Sequence, residues 1–154
     1  MLIESITIIH YALNQGGYNM AIKAIMCDID GTLLSSKGYV TDKTVEMIKK
    51  AREKGILFGL STGRDVNSIQ TLLKDWHIDG LVDLIVGTGG AEIYDYTLNI
   101  SKEQYPLDGE SIKEIIEDFK DMDCNFAISE NGIIYAPKDD EDIQLLAEAD
   151  DIPY

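Results

Sequence analysis

Ile22-Lys23-Ala24-Ile25-Met26-Cys27-Asp28-Ile29-Asp30-Gly31-Thr32-Leu33-Leu34 is the stretch whose reading decides the fold. Its first half, Ile22 to Cys27, is a short apolar run that reads as a buried strand. Two carboxylates, Asp28 and Asp30, follow it directly with one residue between them. In an extended segment residues i and i+2 point to the same side, so both acids face one way. Ligand sites in open α/β sheets lie at the carboxyl ends of strands, which places the pair at the mouth of the sheet. Gly31 lets the backbone turn sharply there and expose N–H groups to an anion.

Working outward, the chain supplies the rest of such a sheet. Thr41 caps a helix to about Lys54, with Val45, Ile48 and Ala51 at helical spacing, Met47 beside them, and Gly55 as its stop. Ile56 to Leu60 is a second buried strand. Asp65 caps a helix with Val66, Ile69, Leu72 and Leu73 on one side, and Gly80 follows it. Leu84 to Val86 is a third strand, closed by Gly87-Thr88-Gly89-Gly90. Strand, helix, strand, helix, strand predicts a parallel sheet with right-handed crossovers.

Beyond Gly90 the pattern changes. Ala91 to Tyr96 and Leu98 to Ile100 read as a short hairpin. Asp108 caps an amphipathic helix carrying Ile112, Ile115, Ile116 and Phe119. Asn125 to Ser129 alternates as a strand, Asn131-Gly132 is a hairpin turn, and Ile133 to Tyr135 returns. Asp139 to about Ala149 is a last, acidic helix.

The acid pair carries the chemistry. Two carboxylates held together repel, and a divalent cation relieves that repulsion; Mg2+ suits oxygen ligands. A carboxylate beside such an ion can attack phosphorus, and the second can protonate a leaving oxygen and later activate water. Asp28-Ile29-Asp30-Gly31-Thr32-Leu33-Leu34 resembles motif I of the haloacid dehalogenase superfamily, in particular of its Cof-type sugar-phosphatase branch. Leu60-Ser61-Thr62-Gly63-Arg64 resembles that branch's motif II, and Gly89-Gly90-Ala91 its N-G-A segment, with Gly89 where asparagine is usual. The likeness runs over roughly residues 21 to 136.

This resemblance implies an α/β, Rossmann-like parallel sheet with helices on both faces, opening after Gly90 into an α+β cap that selects substrates. It implies a phosphatase of small phosphorylated metabolites, sugar phosphates among them, working through an aspartyl-phosphate. Asp28 would be nucleophile and Mg2+ ligand. Asp30 would be general acid/base, with its carbonyl on the metal. Thr62, Gly63 and Gly31 would hold the phosphoryl group. Arg64 is open between a phosphate contact and an ion pair, and Ser61 stays an alternative to Thr62 as the motif II hydroxyl. Trp76 and His77 read as packing residues at a helix end, and Asp83 and Asp95 as loop or strand-end acids.

Two parts of the family pattern cannot be placed. These are the motif III lysine and a G-D-x-x-N-D motif IV. Lys138 lies in the cap-like part, and Asp139-Asp140-Glu141-Asp142 reads as a solvated helix start. The expectation is therefore a chain that ends inside the cap, with an incomplete sheet whose open edge invites association, and little or no activity alone. The alternative function is a non-catalytic fragment or pseudoenzyme with a binding or scaffold role. A glycosyltransferase metal site at D-x-D is a weaker third reading, opposed by the D-G-T continuation.

Composition bounds these readings. The 154 residues carry a net charge of −15, which argues against nucleic acid or an anionic membrane as partner. Residues 1–101 hold 12 acids and 9 bases, and residues 102–154 hold 16 and 4. That shift suggests a core part at 20–101 and a partial cap at 102–154. Cys27 and Cys124 form no CxxC and read as reduced thiols. No span approaches the roughly 20 apolar residues of a membrane helix, and no signal peptide is evident, so the cytoplasm is expected. Residues 1–19 are either an extension or translated leader. Gln15-Gly16-Gly17 can be encoded as CAAGGAGGT, a ribosome-binding sequence suitably placed before Met20.

Overall fold

The computed structural model describes residues 22–130, 132–150 and 153–154. The expectations for residues 1–19 and for Asn131 lie outside them. Three strands, β1 (Ala24–Cys27), β2 (Leu57–Ser61) and β3 (Leu84–Gly87), lie parallel in chain order. Helices α1 (Asp42–Glu53) and α2 (Val66–Leu72) make the crossovers. Thr41 caps α1 by accepting from the Thr44 amide at 3.2 Å, and Gly55 leaves it with φ +75°.

The register aligns Cys27 with Leu60 and Leu60 with Ile85. These side chains share one apolar cluster with Phe58, with Val45 and Ile48 of α1, and with Ile69 and Leu72 of α2. Trp76 joins it, as expected of a packing residue, and His77 stands exposed beside it. Both crossover helices, α1 and α2, join this cluster on one face of the sheet. The cause is geometric: strands added in one direction by right-handed crossovers carry each helix to the same side. On the opposite face Met26, Leu84, Val86 and Ile93 are only half-buried and Leu57 is exposed.

The hairpin after Gly90 extends this sheet. β4 (Glu92–Asp95) and β5 (Ile100–Glu103) run antiparallel, giving one mixed sheet in the order β1-β2-β3-β4-β5. Asp95 closes the hairpin by accepting from the Thr97 and Leu98 amides.

Asp83 does more than end a loop. One carboxylate oxygen accepts from Arg52 Nη2 at 2.8 Å, and the other accepts from the Phe58 amide at 2.9 Å. Arg52 also donates to the Gly80 carbonyl at 2.6 Å. The end of α1 is thus tied to the starts of β2 and β3. Asp83→Ala leaves the Phe58 N–H without its acceptor and should cost about 1–3 kcal/mol in urea unfolding. A loss within error would show that water replaces the carboxylate freely.

The remaining elements are α3 (Gly109–Asp118), β6 (Ile128–Glu130), β7 (Ile133–Tyr135) and α4 (Glu141–Asp150). β6 is shorter than the sequence suggests. Asn125 instead donates its side-chain amide to the Lys138 carbonyl at 2.9 Å and to Asp140 at 2.8 Å. Asp140 in turn caps α4 through the Ile143 amide at 3.1 Å. Ile134, Ile143 and Ala147 form a second, small apolar cluster.

Helix α3 is amphipathic as read, yet Ile115 and Phe119 are exposed. Its start depends on Asp108, which accepts from the Ser111 amide, the Ser111 hydroxyl and the Glu110 amide. Those bonds, the Ser111 amide first, hold the Asp108 carboxyl below its ordinary range. A depressed carboxyl stabilises the fold at neutral pH and loses that contribution as pH falls through its folded value. Helicity of α3 should therefore fade below the ordinary carboxylate range. Backbone chemical shifts of residues 109–118 followed in acid check this, and Asp108→Ala should show the loss already at neutral pH.

Candidate active site

The turn after β1 presents the acid pair. It is closed by the Leu33 amide on the Asp28 carbonyl at 3.1 Å and the Leu34 amide on the Ile29 carbonyl at 3.0 Å. Gly31 sits inside it at φ +72°, where a side chain would be strained. Ile29 is completely buried, whereas Asp28 and Asp30 on either side are exposed. The alternation expected of an extended segment therefore holds, and both acids lie on the solvent side. Thr32 donates its hydroxyl to Asp28 Oδ2 at 3.3 Å. That contact was not read from the sequence, although a hydroxyl four residues along a turned loop is its signal.

A second loop, after β2, faces the first. It hangs on the end of β3 by backbone bonds: the Thr62 amide to the Val86 carbonyl at 3.0 Å, the Gly89 amide to the Thr62 carbonyl at 3.1 Å, and the Thr88 amide to the Arg64 carbonyl at 2.8 Å. The buried Thr62 hydroxyl accepts from the Arg64 amide at 3.2 Å and keeps its own proton for another acceptor. Ser61 and Gly63 are exposed, and open space surrounds the place a Gly63 Cβ would take. Gly87 is different. A Cβ there would meet the Arg64 carbonyl at 2.9 Å and the Val66 amide at 3.1 Å, so only glycine lets strand and loop approach so closely.

Arg64 joins the two loops. Its Nε donates to Asp30 Oδ2 at 3.0 Å and its Nη2 to Asp30 Oδ1 at 2.9 Å, a two-pronged contact. The arginine side chain is 9% exposed and the aspartate 55%, so a sheltered cation holds an open anion. Of the two readings of Arg64, the structure shows an ion pair, and its partner is the second acid of the site itself.

Two more carboxylates shape the mouth, and neither was chosen as a site residue. Asp65 is buried; one oxygen accepts from the Ser68 amide at 2.9 Å and caps α2, and the other accepts from the Ser129 hydroxyl at 2.9 Å. Glu92 accepts from the Val66 amide and from the Thr88 hydroxyl, each at 2.9 Å. The first turn of α2 thus spends its amides on the chain's own acids. Thr88 has φ +47°, a costly conformation for a β-branched residue, held by that bond and by the Arg64 carbonyl.

Asp28 is left with one oxygen on Thr32. Among the described residues no three acids, histidines or cysteines gather as a metal cluster. The donors on offer for a cation are the Asp28 carboxylate and nearby backbone carbonyls. That set fits a hard ion that keeps several of its waters, which is how Mg2+ binds.

Fold and site together define an α/β protein with an acid pair at the tip of a parallel strand and a hydroxyl-and-arginine loop against it. The sequence model of the haloacid dehalogenase-like hydrolases matches residues 25–152, and the chain belongs to that family. It is 30% identical over 129 residues to the 5-amino-6-(5-phospho-D-ribitylamino)uracil phosphatase YwtE of Bacillus subtilis, covering 84% of this chain and 43% of that protein. Its fold matches the crystal structure of a haloacid dehalogenase-like hydrolase from Bacteroides thetaiotaomicron with a TM-score of 0.72 at 21% identity, over 86% of this chain and 50% of the other. It also matches a subclass IIB sugar phosphatase, BT4131, with a TM-score of 0.69 at 21% identity, over 84% and 50%. The chain spans less than half the length of the curated relatives it matches.

Proposed function

We propose that this chain carries the nucleophile half of a Mg2+-dependent phosphomonoesterase site for small phosphorylated metabolites, sugar phosphates among them. One observation carries the reading: the Arg64–Asp30 pair draws the acid loop and the Thr62 loop into one cleft. The names of the relatives, a phosphoribityl-compound phosphatase and a sugar phosphatase, support the substrate class.

In the proposed reaction an Asp28 oxygen attacks phosphorus, and the bond from phosphorus to the ester oxygen breaks. Asp30, protonated, gives its proton to that leaving oxygen. Water then attacks the aspartyl-phosphate, Asp30 takes the water's proton, and phosphate and free Asp28 result. The Thr62 hydroxyl and the backbone of Gly31 and Gly63 hold phosphoryl oxygens, and Arg64 turns from Asp30 to the arriving anion. The Asp28 carboxylate and the Asp30 carbonyl would hold Mg2+, which supplies positive charge against carboxylate and phosphoryl group.

Phosphoryl trapping tests this. With labelled acetyl phosphate and Mg2+, acid-quenched protein should carry label on the peptide containing Asp28, and Asp28→Asn should carry none. Equal labelling of the Asp28→Asn protein would overturn the assignment.

The second reading is a non-catalytic binding or scaffold role, with association through the sheet. It is favoured by β1, which is an outer strand among the described residues, and by the half-open apolar face behind it. Sedimentation should then show association that strengthens with salt, as screening relieves the charge of −15, and weakens in Leu57→Lys. A monomer at all concentrations would exclude it. Location in the cytoplasm belongs to the same proposal. Among the described residues no helix is long and apolar enough to cross a membrane.

A further inference from the structure

We propose that Ser129 and Asp65 form a latch that fixes the β6–β7 hairpin against the phosphoryl-site loop, making Ser129 a positioning residue for the site. The inference rests on the phosphatase reading only for what the latch serves. Ser129 lies in β6, far along the chain, yet its hydroxyl donates to Asp65 Oδ2 at 2.9 Å. The acceptor is buried at 3% exposure and is itself fixed, because its other oxygen caps α2 through the Ser68 amide. The hairpin backbone also comes close at the same place. The Cα of Gly132, in the hairpin turn, points at the backbone of Ser68, so that a Cβ there would stand 3.8 Å from the Ser68 amide nitrogen.

The hairpin therefore meets the core at the first turn of α2, one residue from Arg64. Arg64 in turn forks onto Asp30, and its carbonyl is held by the Thr88 amide. The hairpin also carries Ile134, which packs on Ile143 and Ala147 of α4. One hydroxyl thus ties a unit with its own small core to the loop that holds the second acid. A hydrogen bond to a buried carboxylate is among the stronger kinds. A phosphoryl group that draws Arg64 off Asp30 changes the loop on which the latch is anchored. The hairpin should respond through Asp65.

Hydrogen exchange on the full chain tests the latch without requiring turnover. Ser129→Ala should speed exchange at residues 128–135 by about tenfold while the amides of β1 to β3 stay unchanged. Ser129→Thr, which keeps the hydroxyl, should restore protection. Unchanged exchange in Ser129→Ala, or equal loss in both variants, overturns the latch. Orthophosphate with Mg2+ adds the functional arm: where calorimetry shows binding, it should alter hairpin exchange in the parent chain and not in Ser129→Ala. Binding without that difference counts against the latch. No binding at all counts against the phosphatase reading, and the latch is then decided by the exchange of the two variants alone.

Discussion

Purified as the 154-residue chain, the protein is expected to hydrolyse p-nitrophenyl phosphate at least 100- to 1,000-fold more slowly than an ordinary enzyme, whose turnover is about 10 per second. Asp28→Asn should remove what remains. Hydrolysis of a phosphate monoester is so slow unaided that catalysis must lower its barrier by roughly 20 kcal/mol. Most of that comes from positioning and from charge set against the transferring group. Among the described residues, the cation in contact with the acid pair is Arg64, and both its prongs are committed to Asp30. No lysine touches Asp28 among them, and no third acid completes a metal cluster. Loss of a single well-placed donor costs about 100- to 1,000-fold, and among the described residues more than one is wanting. The measurement is initial rate with and without Mg2+, on the parent chain and on Asp28→Asn. Turnover near 10 per second in the parent would show that these residues suffice.

The same residues show where sequence was informative. β1, β2 and β3 stood out because short apolar runs ended at Asp28, Ser61 and Gly87, and Thr41, Asp65 and Asp108 announced helix starts by cap chemistry that acts within three residues. Local rules reach that far. Asp83, Glu92 and Ser129 could not be read in the same way. Their partners are Phe58, Val66 and Asp65, brought near only by the folded sheet. A lone acid or serine carries no mark of a partner so distant. The position of α1 and α2 on one face was hidden for a related reason. Handedness follows from sequence, but the face depends on the order in which strands join, which periodicity does not encode. At the site, the acid pair and Thr62 could be picked out, while the choice of Arg64 between an anion and Asp30 needed geometry.

Leu60→Ala is expected to lower stability by about 2–5 kcal/mol, a large share of what holds the fold. Leu60 is fully buried at the centre of the parallel strands, in register with Cys27 on one side and Ile85 on the other, and packed under both helices. Truncation leaves a cavity that neighbours on two paired strands cannot close without breaking register. Domains of this size have roughly 5–15 kcal/mol in all, so the variant should unfold at a much lower urea concentration. Leu60→Met keeps the volume and should cost less than about 1.5 kcal/mol. The pair of variants separates packing from site chemistry, because Thr62 lies two residues on and Thr62→Val removes the hydroxyl while keeping the bulk. Leu60→Ala should weaken phosphate binding only as far as it unfolds the chain; Thr62→Val, which also leaves the Arg64 amide without its acceptor, should weaken it further than its loss of stability accounts for. A cost below 1 kcal/mol for Leu60→Ala would mean that the sheet is not the centre of the fold, and a site built on its strand ends would lose its support.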